Sequence, residues 1–114
     1  SITMPGVSGL QRMKELMAEL REKPLTQIGP DKVEYTRDYQ PGTRTCMADG
    51  KAEEMELKGQ NVMYYELEGG TMFIIRPSGT EPKVKVYIMA KGDSKADAAA
   101  KVDALAAAAK EIVK

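Results

Sequence analysis

The sequence predicts an α+β two-layer sandwich, an antiparallel sheet of about four strands with two helices on one face. Three observations predict it. Apolar residues recur at helical spacing near both ends of the chain; short apolar or alternating segments fill the middle; and Glu68-Gly69-Gly70 joins two of those segments directly, as antiparallel neighbours require.

The first periodic segment runs from about Ser8 to Lys23. Leu10, Met13, Leu16, Met17 and Leu20 make one apolar stripe, Ser8 and Gln11 have capping-box spacing, and Pro24 stops the helix. Val33, Tyr35, Arg37 and Tyr39 then alternate with Lys32, Glu34, Thr36 and Asp38, the pattern of a half-exposed strand, which Pro41-Gly42 breaks. Thr43 to Gly59 is polar and weakly patterned, a long excursion with a short strand expected near Met55 and Leu57. Three clearer strands follow. Val62 to Leu67 leads through the glycine connection into Thr71 to Ile75, whose nearly continuous apolar run suits a central strand. Lys83 to Ala90 places Val84, Val86 and Ile88 on one face and Lys83, Lys85 and Tyr87 on the other. The tail is a second helix. Ser94 is its expected N-cap, Asp97 sits in the first turn, and Lys110 and Lys114 favour the C-terminal end of the dipole. Its apolar stripe is Ala98, Val102, Leu105, Ala109 and Ile112, and the run Ala106 to Ala109 permits close approach to a sheet.

The 114 residues correspond to a single domain spanning 1–114. Seventeen basic residues balance seventeen acidic ones, and aromatics are 5% of the chain. That argues against nucleic-acid binding, which draws on basic surfaces and aromatic platforms. The chain has no histidine, so the commonest metal ligand and general base are both missing. One cysteine, Cys46, cannot form an internal disulfide and suits a reducing compartment. No stretch approaches the roughly 20 apolar residues of a membrane span, and no signal-peptide pattern stands at the N-terminus. A cytoplasmic protein with no membrane partner is the expectation.

One segment carries chemistry: Arg76-Pro77-Ser78-Gly79-Thr80-Glu81-Pro82-Lys83. It joins two strands but carries a guanidinium at its entry, hydroxyls around a glycine at its tip, and an ammonium at its exit. Arg76 offers a planar fork matched to phosphate oxygens. Ser78 and Thr80 add hydroxyl donors, and Gly79 lets backbone N–H groups turn inward as an anion nest. Pro77 and Pro82 stiffen the flanks, while Lys83 and Lys85 add positive charge. Glu81 is expected to point away from an anion or to hold Arg76. Ser, Gly, Thr and Pro are also ordinary turn residues, so composition alone leaves a plain turn open.

The string from Arg76 to Lys83, followed by Val84-Lys85-Val86-Tyr87, resembles the signature of the α-D-phosphohexomutase superfamily, in the phosphate-binding loop of its fourth, C-terminal domain. Ile28-Gly29, Arg37-Asp38-Tyr39 and Asn61-Val62 with Tyr65 also resemble the bacterial phosphoglucomutase/phosphomannomutase branch, so the likeness covers most of the chain. It implies a TATA-binding-protein-like fold. It also implies a parent enzyme in which a phosphoserine elsewhere exchanges phosphoryl groups with a hexose phosphate, between its 1- and 6-positions. This domain would grip the phosphate that is not reacting, through Arg76, Ser78, Gly79, Thr80, Lys83 and Lys85, with glucose or mannose phosphate and the parent's other domains as partners.

The family's nucleophile, metal and sugar-reading motifs are absent. Asp49-Gly50-Lys51 does not resemble its magnesium loop, and Ser78 has no companion base. The resemblance therefore implies no catalytic residue, metal or cofactor in this chain, Mg2+ for the full-length enzyme, and no turnover by this domain alone. Alternative readings are the C-terminal domain of a phosphoglucosamine mutase, or a non-catalytic interaction or nucleic-acid-binding module on a TATA-binding-protein-like sheet. Cys46 lacks the basic neighbours of a reactive thiol, and methionines such as Met13, Met17 and Met63 are expected to fill core gaps.

Overall fold

The computed structural model describes residues 2–5, 9–77 and 83–112. In chain order the elements are β1 (Ile2–Pro5), α1 (Gly9–Glu22), β2 (Gln27–Ile28), β3 (Asp31–Asp38), β4 (Thr43–Cys46), β5 (Ala52–Glu54), β6 (Met63–Leu67), β7 (Met72–Pro77), β8 (Lys83–Met89) and α2 (Lys95–Ile112). The strands pair antiparallel in the order β1-β8-β7-β6-β3-β4-β5, and β2 pairs with β3 off that path. The layer arrangement is the expected one, but the sheet has eight strands among the described residues where about four were expected. The extra strands are short. β1, β2, β4 and β5 span two to four residues each, too few for a period to declare itself.

Both helices lie on one face. Met13, Leu16, Met17 and Leu20 of α1 and Leu105 and Ala109 of α2 are buried in one cluster with Val33, Met63, Tyr65, Leu67, Phe73, Ile75, Val84 and Val86 of the sheet. The helix ends follow local chemistry. α1 stops two residues before Pro24; the Ser8 cap expected at its start lies outside the described residues. Ser94 caps α2, its Oγ accepting the Asp97 amide at 3.1 Å. β7 is central, as its apolar run predicted, and in β8 Val84 and Val86 are buried while Lys85 is exposed.

Two expectations for the middle of the chain fail. The excursion forms strands over Thr43–Cys46 and Ala52–Glu54, while Met55 and Leu57 lie outside any strand. There the 55–61 segment folds back over the β3–β4 turn: the Met55 amide donates to the Gly42 carbonyl at 2.7 Å and the Gln60 amide to the Tyr39 carbonyl at 3.1 Å. The simple alternation in β3 is also broken. The register against β6 shifts between Val33, opposite Leu67, and Tyr35, opposite Glu66. Val33 and Thr36 therefore face the helices, whereas Tyr35 and Arg37 face the uncovered side.

Candidate phosphate-binding site

The β7–β8 hairpin presents the segment singled out in the sequence. Its last rungs pair Ile75 with Val86, Arg76 with Lys85, and Pro77 with Val84. Alternation does the positioning. Ile75, Val84 and Val86 are fully buried against the helices, so Arg76 and Lys85 must stand on the opposite, uncovered face, where both are exposed. Two cations thus oppose each other across neighbouring strands at the end that carries the connecting loop. Among the described residues neither enters an ion pair. Like charges directly opposite each other oppose pairing, and an anion placed between them reverses the sign of that interaction.

Ser78, Gly79, Thr80, Glu81 and Pro82 lie outside the described residues, as does the side chain of Lys83, whose backbone pairs with Pro5 of β1. The structure thus brings together Arg76 and Lys85 of the six expected site residues.

The uncovered face also holds a cluster that sequence reasoning did not single out. Glu66 accepts from Arg37 Nε at 2.9 Å and from Arg44 Nε at 2.7 Å and Nη2 at 3.0 Å, and Arg44 Nη1 donates to Glu53 at 2.8 Å. The Arg37 guanidinium lies 4.5 Å from the Tyr64 ring centre and that of Arg44 3.7 Å from Tyr35. Tyr39 accepts from Arg37 at 3.3 Å and leans on Tyr64 with ring centres 6.3 Å apart. Hydrogen bonds from Arg44 lower the Glu66 pKa despite its partial burial, with Arg37 acting the same way. The signal for this cluster was present as Tyr and Arg two residues apart in β3, but only the bulge fixes which face they take.

On the helix side of the same end, Arg21 Nε bonds both Asp38 oxygens at 3.1 Å and ties the last turn of α1 to β3. A cavity of about 330 Å³ opens there, lined by Arg21, Thr36, Asp38, Thr45, Cys46 and Met63, with the sheet between it and Arg76. Among the described residues no group of three or more Cys, Asp or Glu is placed to hold a metal ion, and no helix is long and apolar enough to cross a membrane.

Residues 43–112 match the family model described as phosphoglucomutase/phosphomannomutase, C-terminal domain. The chain is 32% identical over 85 residues to a phosphoglucomutase of Staphylococcus saprophyticus, covering 75% of this chain and 15% of that protein. It is 29% identical over 105 residues to a phosphoglucomutase of Staphylococcus aureus, covering 92% and 19% respectively. It is 41% identical over 71 residues to a protein of Schizosaccharomyces pombe named "Probable phosphoribomutase", covering 61% and 12%. The matched region is thus under one fifth of the length of each of these relatives. No solved structure gave a significant match. The match runs from β4 through α2 and covers more than half of the sequence, and the chain belongs to the phosphoglucomutase/phosphomannomutase C-terminal domain family.

Proposed function

We propose that this chain is the domain of a cytoplasmic phosphoglucomutase or phosphomannomutase that grips the non-transferred phosphate of a hexose phosphate while phosphoryl exchange between the 1- and 6-positions proceeds elsewhere. The observation that carries the reading is the exposed Arg76–Lys85 pair, two cations held in direct register at the mouth of the Ser78–Pro82 loop. Arg76 would bind two phosphate oxygens side by side, Lys85 and Lys83 would add point charge, and Ser78, Thr80 and the Gly79 backbone would supply the remaining donors. A grip of this kind contributes by positioning. Its binding energy holds the distant reacting end in line, where phosphoryl transfer gains most. It ignores the ring, so it serves either orientation of a sugar bisphosphate. The likeness to a probable phosphoribomutase extends the same reading to pentose phosphates.

Mg2+ belongs to another domain in this reading. The described residues supply no carboxylate set for it, and no step of this chain runs through it. The domain alone is expected to be inactive.

The test is Arg76→Ala and Lys85→Ala in the complete enzyme. A charge-assisted hydrogen bond contributes about 1.5–3 kcal/mol, so each change should raise KM about 10- to 100-fold. An unchanged KM in both variants overturns the proposal.

A further inference from the structure

The cavity beside Arg21 takes no part in the proposed phosphate grip, because the sheet separates the two. Alternation builds its floor. β3 and β4 pair Thr36 with Thr45 and Asp38 with Thr43, and β6 places Met63 opposite Asp38, so these side chains share the helix-side face. Thr36 and Met63 are buried there, whereas Thr43 and Thr45 are half-buried. They line a space of about 330 Å³ together with Arg21 and Pro24 at the end of α1 and with Met47.

Hydrogen bonding marks this space as more than a packing gap. Among the described residues, the buried side-chain nitrogens and oxygens left without a hydrogen-bond partner are Arg21 Nη2 and the Tyr65 hydroxyl. Arg21 lines the cavity, and Tyr65 stands opposite Thr36 on the same face, near enough to Arg21 and Asp38 for both to act on its titration. Native proteins pair nearly all such atoms, so two exceptions around one cavity point to a bonding group that the cavity receives. The chemistry of that group follows from what is already satisfied. Arg21 Nε bonds both Asp38 oxygens at 3.1 Å, and Asp38 Oδ1 also accepts the Gln40 amide at 3.0 Å. Thr36 Oγ1 donates to the Met47 sulfur at 3.2 Å. What remains is an N–H donor whose positive charge is already balanced, so its partner is an acceptor without charge. A carboxylate would also meet Asp38, and an ammonium would meet Arg21. Pro24, Met47 and Met63 supply apolar walls for the rest of a ligand, and the volume lies at the small end of the roughly 300–1,000 Å³ of small-molecule sites.

We infer that this cavity is a binding site for a small neutral molecule that carries a carbonyl-type acceptor on a compact apolar body, with Arg21 Nη2 as the donor that orients it. Benzamide is the probe, and the methionine methyl groups of the complete polypeptide, labelled with carbon-13 and assigned by Met→Leu changes, are the readout. The Met47 and Met63 signals should shift saturably, with a Kd on the order of millimolar. Met72 and Met89, in register on the other face of the sheet, should not move. Benzoate and benzylammonium should bind about tenfold or more weakly, and either one binding as tightly as benzamide overturns the inference. Arg21→Met keeps the apolar stem, removes the donor and should weaken benzamide about tenfold or more. Thr45→Phe leaves the Arg21–Asp38 tie in place and fills the cavity from its floor, so it tests the site independently of that tie. It should abolish the Met47 response while the buried Met17 signal, which reports the core, keeps its position. Unchanged benzamide affinity in either variant overturns the inference, and so does the lack of a saturable shift in the wild type.

Discussion

Removing one oxygen atom from the centre of the core should stabilise this protein. Tyr65 is fully buried, with its ring against Phe73 at 6.3 Å between centres, yet its hydroxyl has no hydrogen-bond partner among the described residues. A buried hydroxyl without a partner costs about 1–3 kcal/mol. Tyr65→Phe keeps the ring and its contacts and deletes only the orphaned group, so the expected gain is about 1 kcal/mol after allowing for the small void. For a domain near 100 residues that is about 4–8 °C in Tm. Urea unfolding followed by circular dichroism measures it at neutral pH. A second signature follows from titration. Burial raises the phenol's pKa above its usual 10.0, with Arg21 pulling it back and Asp38 pushing further. Above pH 10 the unfolded chain therefore ionises this group while the folded chain resists. Wild-type stability is fully present below that pH and falls as pH rises through the range; the Phe variant lacks this loss, so its advantage widens. A Phe variant that is less stable by 1 kcal/mol at neutral pH would refute the argument, because it would mean that the hydroxyl is bonded.

Three further changes test other parts of the fold. Glu66→Gln should lower stability by about 1–2 kcal/mol at neutral pH, since three charge-assisted bonds weaken at a partly exposed site. Because the folded Glu66 pKa lies below its usual 4.5, that difference is full above pH 4.5 and closes as pH falls through the folded value, which acid-unfolding curves of both proteins will show. Gly42→Ala should cost about 1–3 kcal/mol by denaturant unfolding, because Gly42 has φ +76° and an added Cβ would stand 3.0 Å from the Leu57 carbonyl oxygen. Ser94→Ala should cost about 1 kcal/mol and fray the first turn of α2, measurable as faster amide exchange there.

What could be read from the sequence was set by length and by period. α1, α2, β6, β7 and β8 each run five residues or more, with one face committed to the core, and the sequence places all of them. Most of what was missed commits no apolar face to the core. β5 is exposed at all three residues and β4 half-buried throughout, so hydrophobicity says nothing about either. The site divides in the same way. Arg76 and Lys85 were legible because alternation about Ile75, Val84 and Val86 dictates their face. The Arg37–Glu66–Arg44 cluster was not, since it joins strands far apart in sequence through a bulge that no residue type announces.

That bulge decides what the uncovered face contains. Val33 is buried, and in a regular strand Tyr35 and Arg37 would follow it into the core, two residues apart on one side. A guanidinium there would need a buried carboxylate, and Thr36 would be turned outward. The shift between Val33 and Tyr35 lets β3 keep Val33 and Thr36 under the helices while Tyr35 and Arg37 join Tyr64 and Glu66 on the open side. Closer to the hairpin the same strand presents Asp38 to Arg21 on the helix side, and Tyr39, the residue after it, meets Tyr64 on the other, so each face keeps its own polar chemistry. One extra backbone residue thus separates a packed layer from an open face of aromatic and charged side chains, and the Arg76–Lys85 pair stands at the edge of that face.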